Sequence, residues 1–286
     1  MSSFEYHRPR TLDDAFELFD RSPEARYIAG GTDVMVRLRQ ARMRPSALVS
    51  LRNIPLLRGV EPGAGGVLRI GGATPLADVL ASAELRGRAP VLAVAVASMG
   101  SAQIRSVATL AGNLCNASPC ADAAPALMVL DARARVRGPE GTREVRVDAL
   151  FRGPGQTTLR RSEIVTDLLV DVPPPTSRGV FLKKSRVSMD LAIANVAAQL
   201  DMAGDTCRSA RVVAGAVAPV PLRLSSVERL ITGARITSDL VEEAKRLAVE
   251  EISPISDIRA SADYRRAIVA AYVGRAIEAC ASRSPK

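Results

Sequence analysis

Tyr27-Ile28-Ala29-Gly30-Gly31-Thr32-Asp33 and Ala108-Thr109-Leu110-Ala111-Gly112-Asn113 are the two stretches that decide how this chain is interpreted. Each joins glycine and alanine to a hydroxyl and a second polar side chain, and neither has the glycine spacing of a Rossmann or P-loop motif. A glycine pair has no Cβ to keep a ligand away, so its backbone N–H groups can point at an anion. Two such loops, far apart in sequence, predict a clamp on the diphosphate of a nucleotide cofactor.

The net charge of +9 favours a phosphate-bearing partner, but the pattern of charges argues against nucleic acid. Basic residues are spread along the 286 residues, with local clusters such as Arg37, Arg39, Arg42 and Arg44. Aromatic residues make up 3% of the chain, too few for a base-stacking platform. We therefore expect no nucleic-acid partner, and a basic surface that faces an acidic subunit or cofactor phosphates.

Hydropathy and cysteine usage predict a cytoplasmic protein. The longest apolar run, Val91 to Met99, is much shorter than the roughly 18 residues that span a bilayer, so we expect no membrane span. Met1 to Tyr6 lacks the basic and apolar regions of a secretory signal. The 4 cysteines have no Cys-x-x-Cys spacing, which predicts small, partly buried, reduced thiols and no metal site on this chain.

The first predicted unit covers residues 1–56 and has a small β–α–β arrangement. Thr11 to Phe19 combines an N-cap threonine, early acidic residues and an apolar stripe, which predicts a helix. Arg26 to Ala29 and Leu48 to Leu51 are predicted strands, with a predicted helix over Asp33 to Gln40 between them. The first glycine pair therefore lies at the turn after a strand.

Residues 57–174 form the second predicted unit and residues 175–286 the third. In the second unit, short strands and helices end with a strand over Ile164 to Val172, before the stiff linker Pro173-Pro174-Pro175. The third unit has alternating segments followed by helical ones, which predicts an α+β domain with a three-stranded antiparallel sheet. These segments are Gly179–Arg186, Leu191–Asp201, Cys207–Val217, Ser226–Ile231, Ser238–Ile252 and Ala262–Ala281.

An ordered series of motifs runs through almost the whole chain. It comprises Arg26–Asp33, Arg44-Pro45, Leu48–Ile54, Ile70–Thr74, Gln103-Ile104-Arg105, Thr109–Asn113, Asn116–Pro119, Asp122, Pro125-Ala126-Leu127, Gly215–Arg223 and Ile255–Arg266. In this order the motifs resemble the FAD-binding medium subunit of molybdenum hydroxylases, the class of xanthine dehydrogenase and carbon monoxide dehydrogenase. Each motif alone is weakly specific, whereas the series is strongly specific.

The resemblance implies an α+β fold in which a two-part FAD-binding unit of the vanillyl-alcohol oxidase (PCMH) type precedes the C-terminal domain. Backbone N–H groups of Ile28 to Asp33 would hold the pyrophosphate of FAD from one side, and Thr109 to Asn113 would approach from the other. The implied cofactor-binding residues are Tyr27, Ile28, Ala29, Gly30, Gly31, Thr32, Asp33, Met99, Thr109, Ala111, Gly112, Asn113, Asp122, Leu168 and Lys183. No catalytic residue is implied.

Several of these residues carry a more specific expectation. Asp122 matches a family aspartate near the ribose, although by itself it would be interpreted as a helix cap or a surface charge. Met99 and Leu168 correspond to apolar positions near the cofactor. Lys183 corresponds to a position beside the flavin ring, with Lys184 as the alternative.

Ala111 is the one departure from the family pattern within the glycine segments, because most relatives have a glycine there. A methyl group at this position is expected to crowd the phosphate or to shift the loop. We therefore expect an altered affinity for FAD rather than a loss of binding.

The resemblance also implies the function of an electron-transfer subunit in an oxidoreductase. In the family, a large molybdopterin subunit oxidises the substrate, and electrons pass through [2Fe–2S] clusters of a small subunit to the flavin and then to an external acceptor. The implied partners are these two subunits, in a dimer of heterotrimers, with the molybdopterin and the clusters on the partners. The alternatives are a stand-alone flavoprotein reductase or oxidase, and a basic binding module without a cofactor.

Overall fold

The computed structural model of this chain describes residues 3–282. Its N-terminal part contains a parallel three-stranded sheet in the order β1-β3-β2. The elements are β1 (Glu5–His7), α1 (Leu12–Asp20), β2 (Arg26–Ile28), α2 (Val34–Arg39) and β3 (Ala47–Ser50). The predicted β–α–β unit is confirmed, and β1, which the sequence patterns did not signal, extends its sheet.

Helix α1 begins at the predicted cap. The Thr11 hydroxyl accepts a hydrogen bond from the Asp14 N–H at 3.1 Å, which satisfies one of the donors that a helix N-terminus leaves free. The apolar stripe at helical spacing is buried in the N-terminal core and consists of Leu12, Ala15, Phe16 and Phe19. Tyr27 on β2 stacks on Phe19 with ring centroids 4.1 Å apart, which connects this core to the strand that precedes the first glycine pair.

The middle part is built on a five-stranded antiparallel sheet in the order β4-β5-β10-β6-β7. The strands are β4 (Val60–Pro62), β5 (Val67–Gly71), β6 (Arg133–Gly138), β7 (Gly141–Arg146), the separate pair β8 (Phe151–Gly153) and β9 (Gln156–Thr157), and β10 (Ile164–Asp171). The helices are α3 (Leu76–Ala81), α4 (Ala83–Arg88), α5 (Pro90–Ala97), α6 (Ala102–Arg105), α7 (Leu110–Asn116) and α8 (Ala123–Val129). Short 3₁₀ turns cover Pro55–Leu57, Ala64–Gly66 and Val147–Leu150.

The C-terminal part has a four-stranded antiparallel sheet in the order β11-β12-β13-β14, followed by three helices. Its elements are β11 (Ser177–Lys184), β12 (Ala194–Ala203), β13 (Thr206–Gly215), β14 (Leu222–Arg223), α9 (Ser225–Ile231), α10 (Ser238–Glu251) and α11 (Ala262–Ala281). The expected three strands are thus corrected to four. Strand β14 has only 2 residues, too few for an alternating pattern to reveal it.

Both faces of the C-terminal sheet are covered. Phe181, Ala197 and Val213 belong to the core of the middle part, whereas Val196 and Val212 pack in the core that includes α9, α10 and α11. Successive side chains of a strand point to opposite faces, so alternate residues serve different cores. The odd-numbered residues of β11 and β12 therefore face the middle part of the chain.

An aspartate in an unusual backbone conformation ties the middle part to the C-terminal sheet. Asp131 has a φ of 47°, a left-handed conformation that aspartate tolerates better than most residues. Its carboxylate lies 3.8 Å from both Arg146 and Arg223 and forms a close ion pair with Arg211. Since Arg211 and Arg223 belong to β13 and β14, this contact fixes the sheet against the middle part.

Two observations on the described residues concern membrane spans and metal sites. None of their helices combines the length and the apolarity that a bilayer crossing requires. Within the same residues, no group of three or more His, Cys, Asp and Glu side chains is placed to hold a metal ion. The divisions after residues 56 and 174 remain predictions.

Candidate functional site

The first glycine segment forms the loop between β2 and α2. Gly31 has a φ of 76°, in the left-handed region that glycine adopts without strain. Within residues 3–282, no backbone N–H from Ala29 to Asp33 donates a hydrogen bond. Most of this loop is only half exposed. A row of free backbone donors in a half-buried loop is the kind of arrangement that binds anions in proteins.

The second glycine segment begins α7. The Thr109 hydroxyl accepts a hydrogen bond from the Gly112 N–H at 2.9 Å and so caps the helix. The two segments lie directly against each other, because a Cβ on Gly30 would come within 2.3 Å of the carbonyl oxygen of Val107 and 2.6 Å of the Cα of Ala108. Gly30 is therefore needed for the contact between the loops as well as for access to a ligand.

Between and beside these loops is a cleft of about 460 Å³. Its volume is in the range of small-molecule sites. Most of the residues expected to bind the cofactor line it, namely Tyr27, Ala29, Gly30, Gly31, Thr32, Asp33, Met99, Thr109, Gly112, Asn113 and Asp122. The structure thus brings both glycine segments, Met99 and Asp122 to one surface.

Four of the expected residues, Ile28, Ala111, Leu168 and Lys183, are not part of the cleft lining. Leu168 on β10 is 0% exposed and packs in the core of the middle part. Its assignment beside the cofactor stays a prediction, and this strand directs the side chain into the core. The Ile28 side chain lies beneath Gly31, whose Cβ would be 3.0 Å from Ile28 Cδ1.

The expectation that the Ala111 methyl crowds the phosphate stays a prediction, which the burial of this residue does not favour. Ala111 is buried in the same core as Leu110 and Leu114, whereas Gly112 is exposed and lines the cleft. Adjacent residues of a helix point about 100° apart, so the methyl of Ala111 and the ligand-facing Cα of Gly112 lie on different sides. The departure from the family pattern thus falls on the core side of α7.

Lys183 lies outside the cleft lining but contacts Asp122, which belongs to it. Its ammonium group lies 2.7 Å from the Asp122 carboxylate and donates to the carbonyl oxygen of Ser98 at 3.0 Å. Asp122 also accepts a hydrogen bond from Asn195 at 2.9 Å, and its side chain makes no capping bond to α8. Asp122 thus occupies the N-cap position of α8, but its buried carboxylate bonds to the C-terminal sheet instead of capping the helix.

Hydrogen bonds between polar side chains of the cleft lining join α2 to α7. The Arg37 guanidinium donates to the Asn116 side-chain oxygen at 2.7 Å, and the Asn116 amide donates to Asp33 at 3.1 Å. Arg37 lines the cleft and adds a positive charge beside the free N–H groups. Arg37 was not expected at the site from the sequence, although its basic cluster on α2 was a signal for phosphate binding.

Other cleft residues were not assigned to the site, although Ile104, Ala108, Asn116 and Ser118 belong to motifs quoted above; the rest lie outside every motif. Together they are Val34, Met43, Leu76, Gly100, Ile104, Ala108, Cys115, Asn116, Ser118, Cys120, Ala121, Met189, Asp190 and Leu191. The cysteines were expected to be partly buried. Cys120 is half-buried, but Cys115 is exposed, and both lie in the cleft, while Cys207 and Cys280 are fully buried.

One cleft residue has an orphaned polar atom. The side-chain oxygen of Asn113 is buried and has no hydrogen-bond partner among the described residues. A buried carbonyl oxygen without a partner costs about 1–3 kcal/mol, so a hydroxyl or N–H donor of a ligand would stabilise it. Together with the free N–H groups opposite, the donor set fits a ligand that carries phosphates and hydroxyl groups.

The comparisons with known proteins agree with this site. Residues 2–175 match the family model described as "FAD binding domain in molybdopterin dehydrogenase", and residues 180–280 match "CO dehydrogenase flavoprotein C-terminal domain". This chain is a member of the FAD-binding medium-subunit family of molybdenum hydroxylases. The FAD-binding domain is followed by an α+β C-terminal domain, as expected.

Similar proteins support the same family over nearly the whole chain. The xanthine dehydrogenase FAD-binding subunit of Escherichia coli O157:H7 is 31% identical over 264 residues, covering 91% of this chain and 90% of that protein. The carbon monoxide dehydrogenase medium chain of Afipia carboxidovorans is 30% identical, covering 99% and 98%. A structure of reconstituted CO dehydrogenase from Oligotropha carboxidovorans superposes with a TM-score of 0.95 at 30% identity, covering 99% of both chains. The medium subunits in this family are flavin-containing chains of oxidoreductases.

Proposed function

We propose that this chain binds FAD in the cleft and serves as the electron-transfer subunit of a molybdenum hydroxylase. The observation that carries the proposal is the row of free backbone N–H groups from Ala29 to Asp33, which faces the second glycine segment across the cleft. Backbone donors fixed in this way hold a diphosphate without reorganisation. The Arg37 charge and the unpaired Asn113 oxygen add a cation and an acceptor at the same surface.

The protein's part in the reaction is to bind and orient. When bound, the flavin supplies the redox chemistry, and no general acid or base is required from the chain. The loop of Ala29 to Asp33 would hold the phosphates, and Asp122 would accept hydrogen bonds from hydroxyl groups. Met99 would pack against an apolar part of the cofactor.

Exposed apolar side chains near the cleft support the presence of partner subunits. Met189 and Leu191 line the cleft and are 60% and 46% exposed, and Val187, two residues before Met189, is exposed as well. Neighbouring exposed apolar side chains are typical of protein interfaces. We propose a large molybdopterin subunit and a small iron–sulfur subunit as the partners, in a cytoplasmic dimer of heterotrimers.

Purification of the tagged chain from its native host tests this function. The expected product is yellow, releases FAD on denaturation, and contains molybdopterin and iron–sulfur subunits that mass spectrometry identifies. A colourless chain that does not take up added FAD would contradict the cofactor. An FAD-loaded chain that is active without any partner would favour the stand-alone flavoprotein instead.

A further inference from the structure

The carboxylate of Asp122 is held from the C-terminal sheet rather than from its own helix. Its Oδ2 atom pairs with the ammonium of Lys183 on β11, and its Oδ1 atom accepts from the Asn195 amide on β12. Both residues are odd-numbered positions on the face of the sheet that packs on the middle part. A cleft residue of the FAD-binding domain is therefore oriented by the domain that follows it.

All three side chains are buried. Asp122 is 6% exposed and Asn195 is 0% exposed, and the side chain of Lys183 is 7% exposed. Burial raises the pKa of Asp122, and the charge and hydrogen bond of Lys183 and the hydrogen bond of Asn195 oppose that rise. A buried carboxylate remains ionised only when such partners compensate for the lost water.

Asn195 has little freedom to move. Its Oδ1 atom is buried without a hydrogen-bond partner among the described residues, so the Nδ2 donor to Asp122 is the bond that its side chain makes. A Cβ on Gly215 would come within 2.3 Å of this Oδ1 atom, which shows how closely β13 packs on the amide. A buried amide with an unpaired oxygen lowers the stability of the fold, and an apolar side chain at this position would not. The bond to Asp122 is therefore the contact that an asparagine provides here and an apolar residue cannot.

We propose that Asn195 is a positioning residue of the FAD site, which holds the Asp122 carboxylate in the orientation that serves the cofactor. The inference rests on the proposed function. A carboxylate has about four lone-pair sites, and Lys183 and Asn195 occupy two of them. Since Asp122 lines the cleft, the remaining sites are available to hydroxyl groups of the ligand. FAD affinity thereby depends on the C-terminal sheet.

Asn195→Ala and Gln199→Ala form a matched pair that tests this role in the full-length chain. Gln199 is on the same strand and face, is 4% exposed, and neither lines the cleft nor bonds to Asp122. Titration of FAD with the apoprotein, followed by flavin fluorescence, measures the dissociation constant. We expect about a tenfold weaker affinity for Asn195→Ala, equivalent to about 1.4 kcal/mol, and less than a twofold change for Gln199→Ala.

The pH dependence of affinity separates positioning from a general packing defect. The titratable groups near Asp122 are Lys183 on β11 and the Cys120 thiol, with Arg259, Arg265 and Asp257 acting on Cys120. In Asn195→Ala the Asp122 carboxylate loses a compensating hydrogen bond, so its pKa rises. On acidification, FAD affinity should therefore begin to fall at a higher pH than in the wild type.

In the isosteric variant Asn195→Asp, the pH dependence of FAD affinity should have the opposite direction. At neutral pH it places two carboxylates together and weakens FAD binding, but on acidification one of them is protonated and can donate to the other. Its affinity should therefore recover as the pH falls, and this variant also serves if Asn195→Ala does not fold. Equal FAD affinities in wild type, Asn195→Ala and Gln199→Ala, or pH profiles that coincide, would overturn the inference. A wild-type chain without FAD affinity would instead overturn the proposed function.

Discussion

The contact between the two glycine loops can be tested by adding a single methyl group. In Gly30→Ala the new Cβ would lie 2.3 Å from the Val107 carbonyl oxygen and 2.6 Å from the Ala108 Cα. These are backbone atoms, which no side-chain rotation can move away. The loops must separate by about 1 Å to reach an ordinary van der Waals distance.

The expected size of the effect follows from this separation. Forcing an extra methyl into a packed backbone contact costs about 1–3 kcal/mol in the free energy of unfolding. A shift of about 1 Å also stretches the hydrogen bonds that both loops would make to one diphosphate beyond their effective range. Loss of one charge-assisted bond, about 1.5–3 kcal/mol, weakens FAD binding by at least about tenfold.

Gly87→Ala is the control, because Gly87 is exposed on α4 and a Cβ there would meet nothing within 4 Å. Replacing a helical glycine with alanine should stabilise the chain by up to about 1 kcal/mol. Urea unfolding of the FAD-free proteins gives the stability, and fluorescence titration gives the FAD dissociation constant. If Gly30→Ala matches the wild type in both measurements, the proposed contact between the loops is not present.

Three further predictions concern the cleft and its surroundings. Arg37→Ala should weaken FAD binding about tenfold and make it less sensitive to salt, because a cation near the phosphates is lost; FAD titrations at low and high salt measure this. Ala111→Gly should lower the free energy of unfolding by about 1–2 kcal/mol through helix propensity and a lost core methyl, with FAD affinity unchanged within about twofold, as urea unfolding and titration would show. Asp257→Asn should cost about 2 kcal/mol of stability at pH 7. Burial alone would raise the pKa of Asp257, but hydrogen bonds from two backbone N–H groups and from Arg265 lower it to about 2. Because that pKa is lower in the folded state, the contribution of Asp257 is complete above about pH 4 and should vanish as the pH falls towards 2 in acid-unfolding curves.

Each of these predictions has a control or a contradicting result. Arg39→Ala removes a neighbouring cation on α2 that does not line the cleft, so it should leave FAD affinity nearly unchanged. Equal losses in Arg37→Ala and Arg39→Ala would mean that only the overall charge matters. A large gain in FAD affinity in Ala111→Gly would place its methyl in the cleft after all. A stability difference between Asp257→Asn and wild type that persists at pH 2 would rule out the titration of this carboxylate.

The secondary structure was largely predictable because its signals are local. The α1 cap at Thr11, the strand before Gly30 and the helix over Ala262–Ala281 each depend on residues close together in sequence. Among the elements that were missed are β1 and β14, which have 3 and 2 residues. Such short strands form because a neighbouring strand pairs with them. Two or three residues are too few to show an alternating pattern from which the pairing could be predicted.

The order of the motifs was therefore enough to identify the family, and local patterns were enough to predict most of the longer elements. Which residues share the cleft depends on how those elements pack. Helical spacing could not show that Ala111 faces the core and Gly112 the cleft, because the direction of the core depends on what packs against α7. Strand alternation likewise assigns Lys183 and Asn195 to one face, but contact with Asp122 arises only because that face packs on the middle part of the chain.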